Sequence, residues 1–178
     1  MTTAEETREK TGRGARAIDP AVLADLRERD DAGRPAEPFT DEEGGAPLRC
    51  CLRRSEPGEL IALVSYAPLR RWAAETGAAP GAYDEQGPVF VHARECAGPE
   101  DAGPEGAGPE GAGLAFTNAH RVVRRYSADG HILGGRLVEA GAAHFDAALA
   151  EAFDDPAVAL VHVRAVEYGC FLYEVRRP

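Results

Sequence analysis

The run Ala159-Leu160-Val161-His162-Val163-Arg164-Ala165-Val166-Glu167-Tyr168-Gly169-Cys170-Phe171-Leu172-Tyr173-Glu174-Val175-Arg176 is two alternating segments around one glycine. Side chains along a strand point alternately to opposite faces, so a register shift of one residue exchanges the faces. If Glu167-Tyr168-Gly169 forms a three-residue turn with Gly169 left-handed, Val166 lies opposite Cys170. Val161, Val163 and Ala165 then face Val175, Tyr173 and Phe171, and one side of the hairpin is wholly apolar. A two-residue turn would mix polar and apolar residues on both sides. The pattern therefore predicts an antiparallel hairpin in the first register.

The segment before it supplies the cover for the apolar side. Phe145, Ala148, Leu149, Ala152 and Phe153 recur at helical spacing over residues 142–154, and Pro156 follows. Before that helix, residues 120–128 and 131–139 flank Asp129-Gly130, a hairpin turn dipeptide. Further upstream, residues 48–54 and 60–66 read as a third hairpin through Glu56-Pro57-Gly58, and a short helix begins at Pro68. Residues 88–94 form one more strand. A first helix starts at Pro20 behind the cap residue Asp19, with Ile18 placed to staple onto Leu23. The glycines and prolines of residues 30–45 mark a loop.

The expected architecture is a single α+β domain over residues 17–178. It has a mainly antiparallel sheet of about seven strands, from three hairpins plus one strand, with two or three helices packed on it. Residues 1–16 are expected to be a disordered arm. Gly-Pro-Glu recurs at Gly98, Gly103 and Gly108, so residues 97–113 are expected to be a flexible loop interrupting the domain.

The formal net charge of −10 is unevenly spread. Residues 1–47 carry 12 acids against 7 bases and the repeat adds four acids, leaving the remainder close to neutral. No basic run with interleaved aromatics suggests nucleic acid as a partner. No apolar run is long enough to span a bilayer and the N-terminus has no apolar leader, so a cytoplasmic protein away from membranes is expected. Of the four cysteines, the adjacent Cys50 and Cys51 cannot point into one site from a strand, so zinc is not expected and reduced thiols are.

The hairpin also suggests chemistry. Its polar side carries His162, Arg164, Cys170, Leu172 and Glu174, with Glu174 directly across from His162. A carboxylate there would orient the imidazole and raise its pKa, although a solvated surface pair would show the same pattern. Cys170 is offset from His162 by about 13 Å, at about 3.3 Å per residue, so the two do not form a dyad. The strand over residues 88–94 repeats the pattern with Phe90, His92 and Arg94, and if the two strands were neighbours their histidines and arginines would converge. There is no nucleophile elbow, dinucleotide fingerprint, phosphate-binding loop or zinc-protease helix motif.

The order of several pieces resembles the bacterial family called domain of unknown function 1203, over about residues 16–178. They are Arg49, Glu56-Pro57-Gly58-Glu59 leading to Leu63 and Tyr66, Tyr83, and Gly87-Pro88-Val89-Phe90-Val91. Arg125-Tyr126, Asp129-Gly130, Asp155-Pro156-Ala157-Val158, His162-Val163 and Gly169-Cys170 follow. The chain departs from the family pattern at Leu48, where a cysteine usually precedes the arginine. It also departs at Arg164-Ala165, in place of a His-Asn pair, and in the repeat insert.

Three functions are weighed. The first is an enzyme without metal or organic cofactor, with His162 oriented by Glu174 as general acid or base. Arg49, Arg125 and Arg164 would hold an anionic small molecule, with Tyr66, Tyr83 and Cys170 lining the pocket. The second is a non-catalytic ligand-binding or protein-interaction module using the same polar face. Thiol chemistry at Cys170 or at Cys50-Cys51 is a third, and oligomeric state is left open.

Overall fold

The computed structural model describes residues 14–99 and 115–177. Most of the expected repeat loop and of the N-terminal arm lies outside them. Three helices and seven strands follow the order α1 (Pro20–Glu28), β1 (Pro38–Asp41), β2 (Glu59–Tyr66), α2 (Pro68–Thr76), β3 (Gly87–His92), β4 (Arg121–Ser127), β5 (Ile132–Val138), α3 (Ala142–Asp154), β6 (Val158–Ala165) and β7 (Phe171–Arg176).

The strands form two sheets, not one. A three-stranded sheet has the order β1-β2-β3 and a four-stranded sheet the order β5-β4-β6-β7, with antiparallel neighbours throughout. Residues 88–94 and 159–166 are therefore not neighbours, and His92 does not converge with His162.

The helices start and stop where local chemistry places them. Asp19 Oδ1 accepts from the Ala21 amide at 2.8 Å with Pro20 in the first turn, and Gly77 ends α2 in the left-handed conformation at φ 77°. Phe145, Ala148, Leu149, Ala152 and Phe153 of α3 are all buried in a cluster with Val123, Val161, Val163, Tyr173 and Val175. That cluster covers one face of the four-stranded sheet. The other face is covered as well, because Leu69 and Trp72 of α2 pack with Tyr126 and Leu160. The polar side of the last hairpin is consequently a buried layer between the sheet, α2 and the smaller sheet.

The last hairpin keeps the expected pairing from Leu160↔Arg176 through His162↔Glu174 to Val163↔Tyr173. A β-bulge then intervenes and Arg164 pairs with Phe171. The extra residue is Leu172, which joins Tyr173 in the cluster under α3. Phe171 is thereby turned to the other side, where its ring meets Tyr66 at 5.5 Å and His162 at 5.0 Å. Alternation alone cannot anticipate this exchange of Phe171 and Leu172, because a bulge breaks the period of two.

Residues 48–54 are not a strand. Pro47 bridges Arg54 at the neck of a closed loop in which the Leu52 amide donates to Leu48 O and the Leu48 amide to Arg53 O. Leu52 sits at φ 58°, outside strand geometry. The edge beside β2 is taken by β1, from within the stretch expected to be loop. The closed loop lies against β3, with Leu48 bridging Phe90 and the Arg49 amide donating to Phe90 O.

Candidate functional site

The closed loop sends Arg49 between the two sheets. The residue is 3% exposed; Nε donates to Phe171 O at 2.8 Å and Nη1 to Pro47 O. No carboxylate among the described residues pairs with it. Burial pulls the Arg49 pKa down to about 10; Arg121 and Arg54 add repulsion, while the nearby Cys170 thiol opposes it. Arg121, at the start of β4, is also buried, donates from Nε to Phe116 O and stands 3.8 Å from Glu167. Burial lowers its pKa despite Glu167. Arg54 lies over the Phe116 ring at 5.9 Å.

These three arginines open on a cleft of about 890 Å³ whose other walls include Leu63, Phe90, Leu172 and Cys170. Its only carboxylate among the lining residues is Glu167. At the rim Leu63 is 50% exposed and Tyr168 86%, so apolar surface is left uncovered beside the cationic groups. A second cleft, of about 530 Å³ and sharing Leu63 and Pro88 with the first, has Asp30 as its most buried charge. Asp30 is already satisfied by the amides of Ala32, Arg34 and Ser65. The first cleft is therefore the one with unpaired charge.

Of the residues expected at a site, the structure brings Arg49 and Cys170 together in this cleft. Arg164 is buried next to it, with Nη2 3.0 Å from Glu85 Oε2 and Nη1 donating to Gly169 O. Tyr66 is buried beside Phe171, and burial raises its pKa. Tyr83 packs on His131 at 5.5 Å, and Arg125 lies across Gly134 of β5; neither lines the cleft.

His162 is fully buried between Tyr126, at 4.7 Å, and Phe171. Neither ring nitrogen has a hydrogen-bond partner among the described residues. Glu174 Oε2 stands 4.0 Å from Nε2, beyond hydrogen-bond reach, and its other oxygen accepts from Arg176 Nε at 2.7 Å. The expected upward shift of the histidine is reversed. Burial, with Arg164, Arg124 and Arg176, holds the His162 pKa well below 6.5 and the ring neutral.

Sequence reasoning missed Arg121 and Arg54. Arg121 had a readable signal, because it begins a strand on the face of Val123 and would be an odd choice at a core position unless it met an anion or a carbonyl. It also placed the cysteines on a strand. In the closed loop Cys50 and Cys51 turn to the same side, with Sγ atoms 3.9 Å apart. His92 Nδ1 lies 3.3 Å from Cys50 Sγ and 3.8 Å from Cys51 Sγ, and the ligand atoms of these three and Cys96 all fall within 4.8 Å of one another. The premise that set metal aside is removed.

Among the described residues no helix is long and apolar enough to cross a membrane. Neither a curated protein nor a solved structure gives a match. A family profile does match, over residues 45–177, and the chain therefore belongs to the family described as Protein of unknown function (DUF1203).

Proposed function

We propose that the protein binds a small organic anion, a carboxylate or phosphate with an apolar body, in the cleft between the two sheets. The observation that carries this reading is the buried Arg49, without a carboxylate partner among the described residues and crowded by Arg121 and Arg54. A buried charge is costly unless paired, and a planar guanidinium suits a bidentate oxyanion. The ligand's charge would sit between Arg49 and Arg121, and its apolar part against Leu63, Phe90 and Leu172. A cationic cleft on a chain of net charge −10 also favours capture of an anion over its own acidic surface. Acid–base turnover at His162 gains no support, because a fully buried ring reaches no ligand in this cleft.

The test is a thermal-shift screen against carboxylates and phosphate esters, followed by calorimetry on the hits at two salt concentrations. At least one anion is expected to raise Tm, with affinity falling as salt rises. Arg49→Met should abolish the shift while leaving the ligand-free Tm unchanged or higher, since it removes a buried unpaired charge of similar volume. If no anion binds, or if hits survive both Arg49→Met and Arg121→Met, the proposal fails.

A further inference from the structure

We infer that Cys50, Cys51, Cys96 and His92 bind one zinc ion, which fastens the Arg49 loop to the end of β3. The four side chains come from three places: the closed loop, the last residue of β3, and the segment just after it. Tetrahedral zinc with Zn–S about 2.3 Å and Zn–N about 2.0–2.1 Å requires S···S of about 3.8 Å and S···N of about 3.6 Å. The observed 3.9 Å between the Cys50 and Cys51 sulfurs, and 3.3 and 3.8 Å from them to His92 Nδ1, lie close to those edges.

The surroundings match those of a metal-ligating histidine. If Nδ1 is the ligand, Nε2 must carry the proton, and Nε2 lies 3.3 Å from Glu59 Oε1, with Arg53 Nη2, which binds the same carboxylate, 3.2 Å away. A carboxylate at the distal nitrogen is the usual device that fixes the tautomer and orients the ring. Glu59 is itself held by Arg53, whose Nη1 donates to Oε2 at 3.0 Å and Nη2 to Oε1 at 2.5 Å. The His92 amide also donates to Cys50 Sγ at 3.3 Å, a contact that stabilises a thiolate. The backbone carbonyl of His92 accepts from Arg27 Nε at 3.0 Å, which ties the same residue to α1.

Three sulfurs and one imidazole select zinc among the divalent ions, and four protein ligands leave no open position. The site is thus structural. On binding, the three thiols lose their protons to solvent as three S–Zn bonds form, so affinity rises with pH. Arg49 immediately precedes Cys50, so the ion would set the position of the cleft arginine without touching its ligand.

The full chain is purified without a metal-binding tag or chelator and its metal content measured by plasma mass spectrometry. One zinc per chain is expected, released when a mercurial blocks the thiols. Chelated protein titrated with Co²⁺ alone should show a sulfur-to-cobalt charge-transfer band and intense tetrahedral visible bands at one equivalent. Cys51→Ser and His92→Ala should lose the zinc, and Glu59→Gln, which keeps all four ligands, should weaken it by about 10–100-fold. The inference is overturned if the unaltered chain takes up neither zinc nor Co²⁺ with a thiolate signature. It is overturned equally if Cys51→Ser and His92→Ala retain the metal. The Co²⁺ titration needs no substitution, so a variant that fails to fold does not blunt the test.

Discussion

Phe90-Val91-His92-Ala93-Arg94 and Leu160-Val161-His162-Val163-Arg164 place a histidine in the same alternating pattern, yet the two rings have opposite surroundings. His162 lies in a four-stranded sheet covered on both faces; it is packed by Tyr126 and Phe171 and its nitrogens meet no partner among the described residues. His92 ends an outer strand of the smaller sheet, with sulfurs at one nitrogen and the Glu59–Arg53 ion pair at the other. The strand fixes where each ring begins. What packs on the strand decides whether the ring fills space or makes bonds, and that depends on a loop and a helix distant in sequence.

Removing each ring should separate the two roles, and this gives the largest expected effect. His162→Ala leaves a cavity in a closed layer and should cost about 2–5 kcal/mol, read from urea denaturation. His162→Leu, which fills the space and forfeits no hydrogen bond, should cost less than about 1.5 kcal/mol. His92→Ala, measured with metal chelated, should cost under about 1 kcal/mol, since Arg53 still holds Glu59. Equal losses at the two positions would erase the comparison.

The acid response should also differ. Burial keeps His162 neutral in the fold below its ordinary 6.5, so the unfolded chain binds a proton that the folded chain refuses. The stability it contributes is complete above pH 6.5 and is lost as pH falls towards the depressed folded value, at about 1.4 kcal/mol per pH unit. The stability difference between the protein and His162→Leu should therefore move by roughly that slope between pH 6.5 and 5. A flat difference would mean that the ring is protonated in the fold.

Much of the scaffold is legible because its signals are local. Asp19-Pro20, Pro68 with Gly77, Asp129-Gly130 and the α3 stripe each act within one turn of chain. The pairing of His162 with Glu174 matches the expected register for a different reason: next to the turn Ala165 bonds Cys170, one residue from the expected Val166, and the Leu172 bulge restores the pairing further along. The failures are not local. Leu48 to Arg54 contains β-branch-free but apolar residues that suit a strand; the closed loop arises from the Pro47–Arg54 bridge and from packing on Phe90. The Leu172 bulge exchanges two faces without a glycine to announce it. The free edge of β3 is met by Leu48 and Arg49 of the closed loop and not by a strand of the larger sheet, and β1, which takes the edge of β2, is the short run Pro38-Phe39-Thr40-Asp41 inside loop-like sequence. Of the site, Arg49 and Cys170 were readable as candidates, but their meeting with Arg121 across the sheets was not.

The smallest effect should come from the carboxylate across from His162. Glu174 is buried, and burial raises its pKa above 4.5, with Arg176 and Arg16 opposing. A raised acid stabilises the fold below pH 4.5, and that contribution is lost as pH rises through the folded pKa. Glu174→Gln mimics the protonated side chain and can still accept from Arg176, so at pH 7 it should be at least as stable as the protein, within about 1 kcal/mol. It should leave the His162-dependent slope below pH 6.5 in place, because at 4.0 Å the carboxylate does not bond the ring. Glu59, at 3.3 Å from His92, is the contrasting case, where the same substitution should weaken zinc. If Glu174→Gln instead removed the acid response of His162, the two carboxylates would be equivalent partners and the contrast between the histidines would collapse.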